Sequence, residues 1–585
     1  MIFMILQALT GYYDRVVKEG NVDIAREGFE QKEIPFIVII NRKGQFVDFQ
    51  DTRDGEGKVK RGRLFTVPRG VKKTSGIAAN LLWDTPNYVF GQPKAEKKSQ
   101  RAKEEHRCFV ETIKKRFAAP FQDEGISALI NFLERHDFDA AFSHKLWNEI
   151  KDTWPNLTFR LDGELSIICC RSSAVIERIS EEINQPMEKQ ICLVSGNEDT
   201  PVLLHHAIKG VHNAQTSGAN IVSFNLAAFK SFGKNQGLNA PIGRKAEFAY
   251  TTALNHLLSR ESSQKLQVGD ATVVFWAEEK NNLEDVFATI FGESPKGEPE
   301  QDYKSAIALF RSPETGAIVE LDPNTRFYVL GLAPNASRLA IRFWYAGTVG
   351  SITDNLELHF NDLEMVKGPK EWRTVSLRSL LRSTARGKDD RQKDDNVLPN
   401  LAGDTMKAVL AGTPYPKTLL VAAIQRCRAE REVTYTRAAL IKAYLSRDTR
   451  FHERVAKEVG MSLDVTNTNS GYLMGRLFAV LEKIQEETNP DINATIRDRF
   501  YGSASSTPVT AFPHLMKLKN YHLAKLENRG RAVNLEKQIS EIVDKLGADS
   551  PFPAHLSLAD QGRFAVGYYH QRQAFFIKKY QESVK

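Results

Sequence analysis

The chain has 585 residues, more than one hydrophobic core usually serves, so we expect at least two separately packed regions. Hydrophobic residues make up 42% and charged residues 26% of the sequence, which are globular values and argue against a largely disordered protein. The net charge of +8 is modest for this length, so it does not by itself identify a class of partner.

The first residues, MIFMILQALTGYYDR, are apolar but lack the basic start and cleavage site of a signal peptide. They are also too few to span a bilayer. The five cysteines are scattered and form no C-x-x-C motif, which is typical of a reducing compartment and argues against a structural zinc site. We therefore expect a cytoplasmic protein without membrane contact.

The first four hundred residues mix β-rich and helical patterns. IPFIVIINRKGQFVDFQ predicts a hairpin with Gly44 near its tip, and ATVVFWAE predicts a further strand. QDEGISALINFLERH and KAEFAYTTALNHLLSR have the apolar spacing of helices. Hairpins without repeated β-α-β units favour an α+β fold for this region.

The segment 57–73, GKVKRGRLFTVPRGVKK, concentrates positive charge, and no acid follows until Asp84. Glycines, a proline and the run LFTV interrupt the charges, which predicts a loop or an edge strand rather than a helix. A solvated surface loop would have this composition, and so would a segment that binds nucleic-acid phosphates. We predict phosphate contacts for its seven cations, Lys58, Lys60, Arg61, Arg63, Arg69, Lys72 and Lys73.

A second candidate site is the loop 231–241, SFGKNQGLNAP. Glycines allow the backbone to approach a ligand closely, and side-chain amides offer a donor and an acceptor to a base edge. A plain surface turn would use the same residue types. We predict that the loop contacts DNA through its polar side chains, Lys234, Asn235, Gln236 and Asn239.

A third candidate is the strand pair predicted by RFYVLGLA and SRLAIRFWYAG around the turn PNA. Strict alternation would place Arg338, Arg342 and Trp344 on one face of the second strand. Two arginines and an aromatic residue on a sheet face can bind phosphates and stack bases. The alternative is a sheet face covered by helices, with its arginines in ion pairs.

The charged segment 385–399, ARGKDDRQKDDNVLP, predicts a linker. From about Asn400 to the end, apolar residues recur at three-and-four spacing between Gly, Pro or Asn breaks. We therefore predict an α+β N-terminal region over 1–395, a connecting helical segment over 400–460, and an all-α C-terminal helical bundle over 461–585.

Catalytic sequence templates are largely missing. There is no serine-hydrolase elbow, no phosphate-binding P-loop and no convincing dinucleotide fingerprint. His136 and Asp137 form the His-Asp step of some metal nucleases, but no obvious set of further ligands accompanies them. We expect no catalytic residue, no metal and no other cofactor; a metal-dependent nuclease and a purely architectural RNA-binding scaffold are the alternatives.

Several long blocks resemble one protein family in their order and spacing. They are VPRGVKKTSGIAANLLWDTPNYVFG, SFGKNQGLNAP, FYVLGLAPNASRLAIRFW, AGTPYPKTLLVAAIQRCRAEREVTYTRAALIKAYL, GYLMGRLFAVLEKIQ and LSLADQGRFAVGYYHQRQAFF. Together they resemble the large subunit of the type I-C CRISPR interference complex (Cascade). The resemblance runs from the N-terminus to the last helix.

The resemblance implies a non-catalytic subunit that recognises the protospacer-adjacent motif in double-stranded DNA, helps unwind the target, stabilises the R-loop and recruits a separate helicase-nuclease. Its partners would be the guide CRISPR RNA, the target duplex and displaced strand, and the backbone, guide-processing and small subunits of the complex. In RNA-guided systems base pairing reads most of the target, so basic and amide-bearing loops without a nucleophile fit this role.

The resemblance extends to Met461. In type I-C systems the small subunit is commonly translated from within the large-subunit gene, and MSLDVTNTNSGYLMGRLFAV resembles the start of that product. An ordinary methionine in a loop is the alternative. We predict that the C-terminal bundle binds the target or displaced strand through basic groups that include Lys517, Lys519 and Arg572.

Overall fold

The computed structural model describes residues 4–21, 24–55, 60–71, 73, 76–95, 98–183, 188–291, 322–368, 375–452, 459–490, 492–547 and 551–583. The chain divides into two compact units. The N-terminal unit comprises residues 2–207 and 222–256, and the C-terminal unit comprises mainly residues 208–221 and 257–585.

The N-terminal unit combines short strands with helices. Its helices are α1 (Ile5–Lys18), α2 (Pro86–Phe90), α3 (Ser99–Arg116), α4 (Glu124–Arg135), α5 (Asp139–Phe142), α6 (Trp147–Thr153), α7 (Ser173–Ile183) and α8 (Arg244–Leu257). Its strands are β1 (Phe29–Ile34), β2 (Phe36–Ile40), β3 (Phe46–Asp51), β4 (Arg63–Pro68), β5 (Trp83–Asp84), β6 (Leu157–Leu161), β7 (Gln190–Ile191) and β8 (Glu198–Asp199).

The predicted hairpin is confirmed, because β2 pairs with β3 in antiparallel orientation. Its turn requires glycine: Gly44 has φ +73°, and a Cβ there would lie 2.6 Å from the carbonyl oxygen of Ala128. Strand β2 is buried along its length and pairs with β6 in parallel, giving a sheet in the order β3-β2-β6-β5. Burial on both faces explains its unbroken apolar run. Strands β1 and β4 form a separate antiparallel ribbon.

The C-terminal unit begins with an antiparallel sheet and continues in helices. Its strands, in the order β12-β11-β10-β9, are β9 (Lys265–Val268), β10 (Ala271–Ala277), β11 (Arg326–Asn335) and β12 (Arg338–Thr348). Its helices are α9 (Leu283–Phe291), α10 (Val349–Leu363), α11 (Leu377–Thr384), α12 (Asp390–Asp395), α13 (Leu401–Ala411), α14 (Lys417–Glu430), α15 (Tyr435–His452), α16 (Ser470–Thr488), α17 (Ile496–Ser506), α18 (Pro508–Lys525), α19 (Arg529–Val543) and α20 (Leu558–Ser583).

The predicted fold class is confirmed: mixed sheets and helices come first, and the described residues after β12 are helical or irregular. One hydrophobic core joins the sheet to the helices, with Phe275 and Phe343 from strands and Met406 and Phe478 from helices. The predicted domains 1–395, 400–460 and 461–585 divide the chain differently from the two units and stay a prediction.

The segment 385–399 was expected to be a linker, and this expectation is wrong for its middle part, which forms α12. Asp394 lies 2.7 Å from a guanidinium nitrogen of both Arg378 and Arg382 on α11. The Asp389 carboxylate caps the helix by accepting the N–H of Gln392 at 2.9 Å. Charges that resemble a solvated linker in the sequence therefore pair with a neighbouring helix.

Helices α16 and α20 approach each other closely in the C-terminal unit. A Cβ at Gly475 would lie 2.0 Å from the carbonyl oxygen of Phe564, so this contact depends on glycine. Among the helices that the structure describes, none is both long and apolar enough to cross a membrane.

Candidate nucleic-acid interface

The basic segment 57–73 leads into β4 of the N-terminal ribbon. Two of its predicted cations lie outside the described residues, Lys58 and Lys72. Lys60, Arg61 and Arg63 are exposed. The backbone of Arg61 is fixed by a bridge to Asp54, whose N–H donates to the Arg61 carbonyl at 3.0 Å. Three cations are thus presented to solvent from an anchored backbone, as phosphate binding requires.

Arg69 has an internal role instead. Its guanidinium lies 3.2 Å from Glu247, donates to the hydroxyl of Thr251 at 3.1 Å, and packs over the ring of Phe248. Glu247 is buried and also accepts the backbone N–H of His206 at 2.8 Å. Burial acts to raise the pKa of Glu247, but the His206 hydrogen bonds and the Arg69 charge outweigh it and lower the pKa to about 2. Arg69 neutralises this buried carboxylate.

Lys73 also pairs within the N-terminal unit. Its ammonium lies 2.6 Å from the buried Asp84 carboxylate and 3.6 Å from the centre of the Tyr88 ring. Asp84 in turn accepts the backbone N–H of Asn80 at 3.0 Å. The structure therefore gives Arg69 and Lys73 buried carboxylates as partners within the N-terminal unit, although Lys73 is itself exposed.

Asn239 closes the loop 231–241. Its amide oxygen accepts the N–H of Ser231 at 2.9 Å, and its amide nitrogen donates to the carbonyls of Lys234 at 3.2 Å and Gln236 at 2.9 Å. Both ends of the amide are occupied within the loop, which differs from the predicted role of reading a base edge. Of the other three predicted residues of the loop, Lys234 and Asn235 are exposed, whereas Gln236 is half-buried.

The sequence analysis missed Phe232, which precedes Gly233 in the same loop. Its side chain is 96% exposed, and its φ of +49° lies in the left-handed region that a bulky residue rarely adopts. Full exposure in this backbone conformation makes Phe232 a candidate functional residue. An aromatic ring held in solvent beside Lys234 is suited to stacking on a nucleobase. The signal was present in the sequence, as one large apolar residue within a polar, glycine-containing loop.

The strand pair β11 and β12 forms as predicted, but its side chains are arranged differently. Ile341 pairs with Leu332 and Phe343 pairs with Gly331, so Arg342 is an extra residue without a partner on β11. This bulge reverses the alternation, and Arg338 and Trp344 fall on opposite faces. The prediction of a shared face is wrong for this reason.

The bulged residue Arg342 and the following Trp344 both make contacts within the C-terminal unit. Trp344 stacks on Tyr328, with ring centres 5.6 Å apart and planes 7° apart. Arg342 lies 2.6 Å from Asp270 and donates to the side chain of Asn400 at 3.0 Å. The sheet thus matches the alternative of arginines in ion pairs more closely than an open base-stacking face.

In the C-terminal helices, Arg572 is an internal residue. It lies 2.8 Å from the carboxylate of Glu486 and 3.6 Å from that of Glu482. Glu482 is fully buried and also accepts hydrogen bonds from the hydroxyls of Tyr568 at 2.6 Å and Thr495 at 2.8 Å. Arg572 therefore balances the buried carboxylate of Glu482 and the half-buried carboxylate of Glu486 between α16 and α20.

A basic stripe on α18 is exposed. Lys517, Tyr521 and Lys525 recur every four residues and therefore share one helix face. Tyr521 is 56% exposed, and the Lys525 ammonium lies 4.2 Å from the centre of its ring. The predicted Lys519 is instead 3.3 Å from Glu536 on α19. Cations interleaved with an exposed aromatic ring are the composition that binds single strands.

His136 and Asp137 are both exposed at the end of α4. His136 caps the helix with φ +50°, and its ring centre lies 4.8 Å from that of His106. Within the described parts of the chain, no three His, Cys, Asp or Glu side chains gather as metal ligands would. The described surroundings of His136 are aromatic.

The sequence matches one known protein family. No curated protein matches the sequence. The sequence model of one family, described as CRISPR-associated protein (Cas_Csd1), matches residues 9–576 of the 585. The match covers both compact units and all the candidate sites described above. The chain therefore belongs to the CRISPR-associated protein family Cas_Csd1.

Proposed function

We propose that this chain is the non-catalytic large subunit of a type I-C Cascade complex in the cytoplasm. It recognises the protospacer-adjacent motif in duplex DNA, helps unwind the target and stabilise the R-loop, and recruits a separate helicase-nuclease. Membership of the Cas_Csd1 family supports a Cascade-type subunit. The ordered sequence blocks that resemble the type I-C large subunit support the finer assignment.

The observation that carries the proposal is the loop 231–241, with Phe232 exposed near its start. A duplex opens only if the stacking lost at the first separated pair is replaced, and an aromatic side chain supplies such a surface. Lys234 and Asn235 follow after Gly233 and are exposed, so they can supply a phosphate contact and a base-edge contact within three residues of Phe232. Asn239 fixes the loop through hydrogen bonds between its side-chain amide and the backbone of Ser231 and Gln236.

The same N-terminal unit presents Lys60, Arg61 and Arg63 to solvent. These cations supply affinity that does not depend on sequence, because phosphates carry no base information. The N-terminal unit thus has two separate tasks, motif discrimination and binding of the DNA backbone. The loop 231–241 discriminates the flanking motif, and the exposed cations before and at the start of β4 hold the backbone.

A gel shift of the assembled complex on duplexes that differ only in the flanking motif tests the proposal. We expect the wild-type complex to bind the duplex with the correct motif more tightly. Phe232→Ala should bind the intact duplex much more weakly than a duplex already unpaired next to the motif, because the opened DNA no longer needs the ring. Guide binding without any dependence on the motif would instead favour an architectural RNA-binding scaffold.

A further inference from the structure

A cavity of about 280 Å³ opens on the N-terminal unit next to the exposed cations. It lies where the parallel strands β2 and β6 begin, and its walls include Glu33, Arg53, Lys60, Trp154 and Asn156. Pockets for drug-sized ligands usually measure roughly 300–1,000 Å³. This cavity is slightly smaller, so it suits a smaller group, of about the size of one nucleobase. Of the residues that line it, the proposed function uses only Lys60.

Two walls of the cavity are rigid. Trp154 ends α6 in a left-handed conformation with φ +51°, and its indole N–H donates to the side chain of Asn87 at 3.2 Å. Arg53 is held at 2.6 Å by both Asp51 and Glu149 and stacks over Phe36 at 4.3 Å. A planar ligand would therefore meet surfaces that are already in place, which lowers the entropic cost of binding.

The charges around the cavity do not favour a free anion. The Arg53 cation is shared between the carboxylates of Asp51 and Glu149, and Glu33 is an acid in the wall itself. Hydrogen bonds from Arg53 lower the pKa values of Asp51 and Glu149, and the charge of Lys60 contributes in the same direction. With both cations close to carboxylates, the wall is better suited to a neutral group that donates hydrogen bonds than to a phosphate.

We propose that this cavity receives one unpaired nucleobase of a strand whose phosphates lie on Arg61 and Arg63. Trp154 supplies aromatic surface, and the amide of Asn156 and the carboxylate of Glu33 bind the base edge. The Glu33 carboxylate already accepts the N–H of Gly62 at 2.8 Å and retains further lone pairs for an exocyclic amine. Bases that carry an amino group are therefore preferred, because a carboxylate accepts from the cytosine amine but not from the carbonyl of thymine.

This inference rests on the proposed function in one respect, which is that the chain binds nucleic acid. The experiment uses the full chain and fluorescein-labelled single strands of about 12 nucleotides, a length within the usual site sizes for single-strand binding. Oligo-dC should bind about tenfold more tightly than oligo-dT and more tightly than a strand of abasic residues. Oligo-rC and oligo-rU form a second arm, which tells whether the base comes from DNA or from RNA.

Three variants separate the base contact from the phosphate contact. Asn156→Ala should weaken binding of oligo-dC and oligo-dT alike by severalfold, because an amide can accept from an amine and donate to a carbonyl. Glu33→Gln should reduce the preference for oligo-dC, because it replaces an acceptor-only carboxylate with such an amide. Arg63→Gln is the control, and it should flatten the salt dependence by about one unit for both strands while leaving their ratio unchanged.

Thermal unfolding of each variant shows whether the fold is kept. Equal affinity for oligo-dC, oligo-dT and the abasic strand would overturn the cavity proposal, as would an unchanged affinity in Asn156→Ala together with an unchanged ratio in Glu33→Gln. The gel shift with duplexes reports motif recognition separately. A base preference without motif dependence would therefore support the cavity and count against the proposed function alone.

Discussion

Two arginines six residues apart illustrate how a side chain's partner decides its role. Arg63 is exposed at the start of β4, whereas Arg69, just after the strand, is paired with the buried Glu247. Both belong to the same positively charged segment, and the sequence of this segment does not distinguish their roles. Solvent screens an exposed cation, but removing the partner of a buried carboxylate leaves a costly unpaired charge.

We expect Arg69→Gln to lower the free energy of unfolding by about 3 kcal/mol, because breaking a buried pair from one side is strongly destabilising. Arg63→Gln should leave the unfolding transition within about 0.5 kcal/mol of wild type and should weaken DNA binding at low salt instead. Thermal unfolding and salt-dependent binding, measured on both variants, check this contrast. An equally stable Arg69→Gln protein with a flatter salt slope would assign Arg69 to the phosphate contacts as first predicted.

A second prediction concerns Asn239. If it read a base, alanine would cost about 1–3 kcal/mol on the correct motif and little on a wrong one. Because its amide holds the loop together, we expect Asn239→Ala to weaken binding to both duplexes by a similar factor. Asn235→Ala, at an exposed position four residues earlier, should weaken only the correct motif. Binding of the assembled complex to duplexes that differ only in the motif distinguishes the two roles. A loss of affinity for the correct motif alone in Asn239→Ala would contradict the structural role.

Much of the site chemistry could be predicted from the sequence at the residue scale, but the partners could not. The charge of 57–73 and the amides of 231–241 are visible in the sequence. Glu247 is 178 residues away from Arg69, so only the folded chain shows that the two meet. Phe232 was overlooked because an apolar side chain in a loop is usually buried, and its 96% exposure depends on the tertiary structure.

At the scale of elements, the hairpin β2–β3 and the helices of the second half follow from local patterns. The bulge in β12 does not, since it depends on the neighbouring strand. The ring of Phe343 fills the space above Gly331 of β11, where a Cβ would lie 2.3 Å from a ring carbon. Alternation along one strand assumes continuous pairing, and a single extra residue, Arg342, is enough to reverse it.

The contact between α16 and α20 makes the C-terminal unit sensitive to acid. His570 is buried and its ring nitrogen lies 3.0 Å from the hydroxyl of Tyr472. Burial, assisted by the charge of Lys442, lowers the pKa of His570 to about 4. The unfolded chain takes up this proton near pH 6.5 and the folded chain near pH 4, so the stability contribution is complete above pH 6.5 and is lost as the pH falls towards 4.

We expect His570→Gln to remove this component of the acid sensitivity. Between pH 6.5 and 4, wild type should lose about 3 kcal/mol more of its unfolding free energy than the variant does. Thermal unfolding over this pH range measures the difference. His359 is also buried, which lowers its pKa to about 3, and it forms a hydrogen bond with Tyr415. It is present in both proteins, so its acid sensitivity contributes equally to both pH profiles. Parallel pH profiles for the two proteins would refute the assignment to His570.

For the whole molecule, the sequence predicts the order of fold types but not the division into units. Strands β9–β12 share a core with the helices, although the composition changes only after residue 395. The apolar faces of the sheet and the helices are each recognisable in the sequence. Which face packs against which other face depends on shape complementarity between distant residues, and composition carries no information about it.

Packing within the C-terminal unit affects the prediction for Met461, the predicted start of a separate small subunit. In the full chain the Met461 carbonyl accepts the N–H of Val366 at 2.8 Å, and Tyr569 on α20 donates to the Val366 carbonyl at 3.2 Å. Helix α15 covers part of α20, where a Cβ at Gly562 would lie 3.0 Å from Ile441. A product that begins at Met461 keeps α16–α20 but lacks α15, so we expect it to be less stable than the same segment in the full chain.

The last prediction is that the native gene yields an additional chain beginning at Met461, detectable by mass spectrometry of the purified complex. Met461→Ile removes the internal start codon, and its side chain is 41% exposed, so the substitution should change the stability of the full chain by less than about 0.5 kcal/mol. The variant complex should lack the small subunit and regain single-strand binding when residues 461–585 are supplied from a second gene, because the Lys517–Tyr521–Lys525 stripe lies within that segment. Full assembly and binding by the Met461→Ile complex without the second gene would show that Met461 is an ordinary residue of the loop before α16.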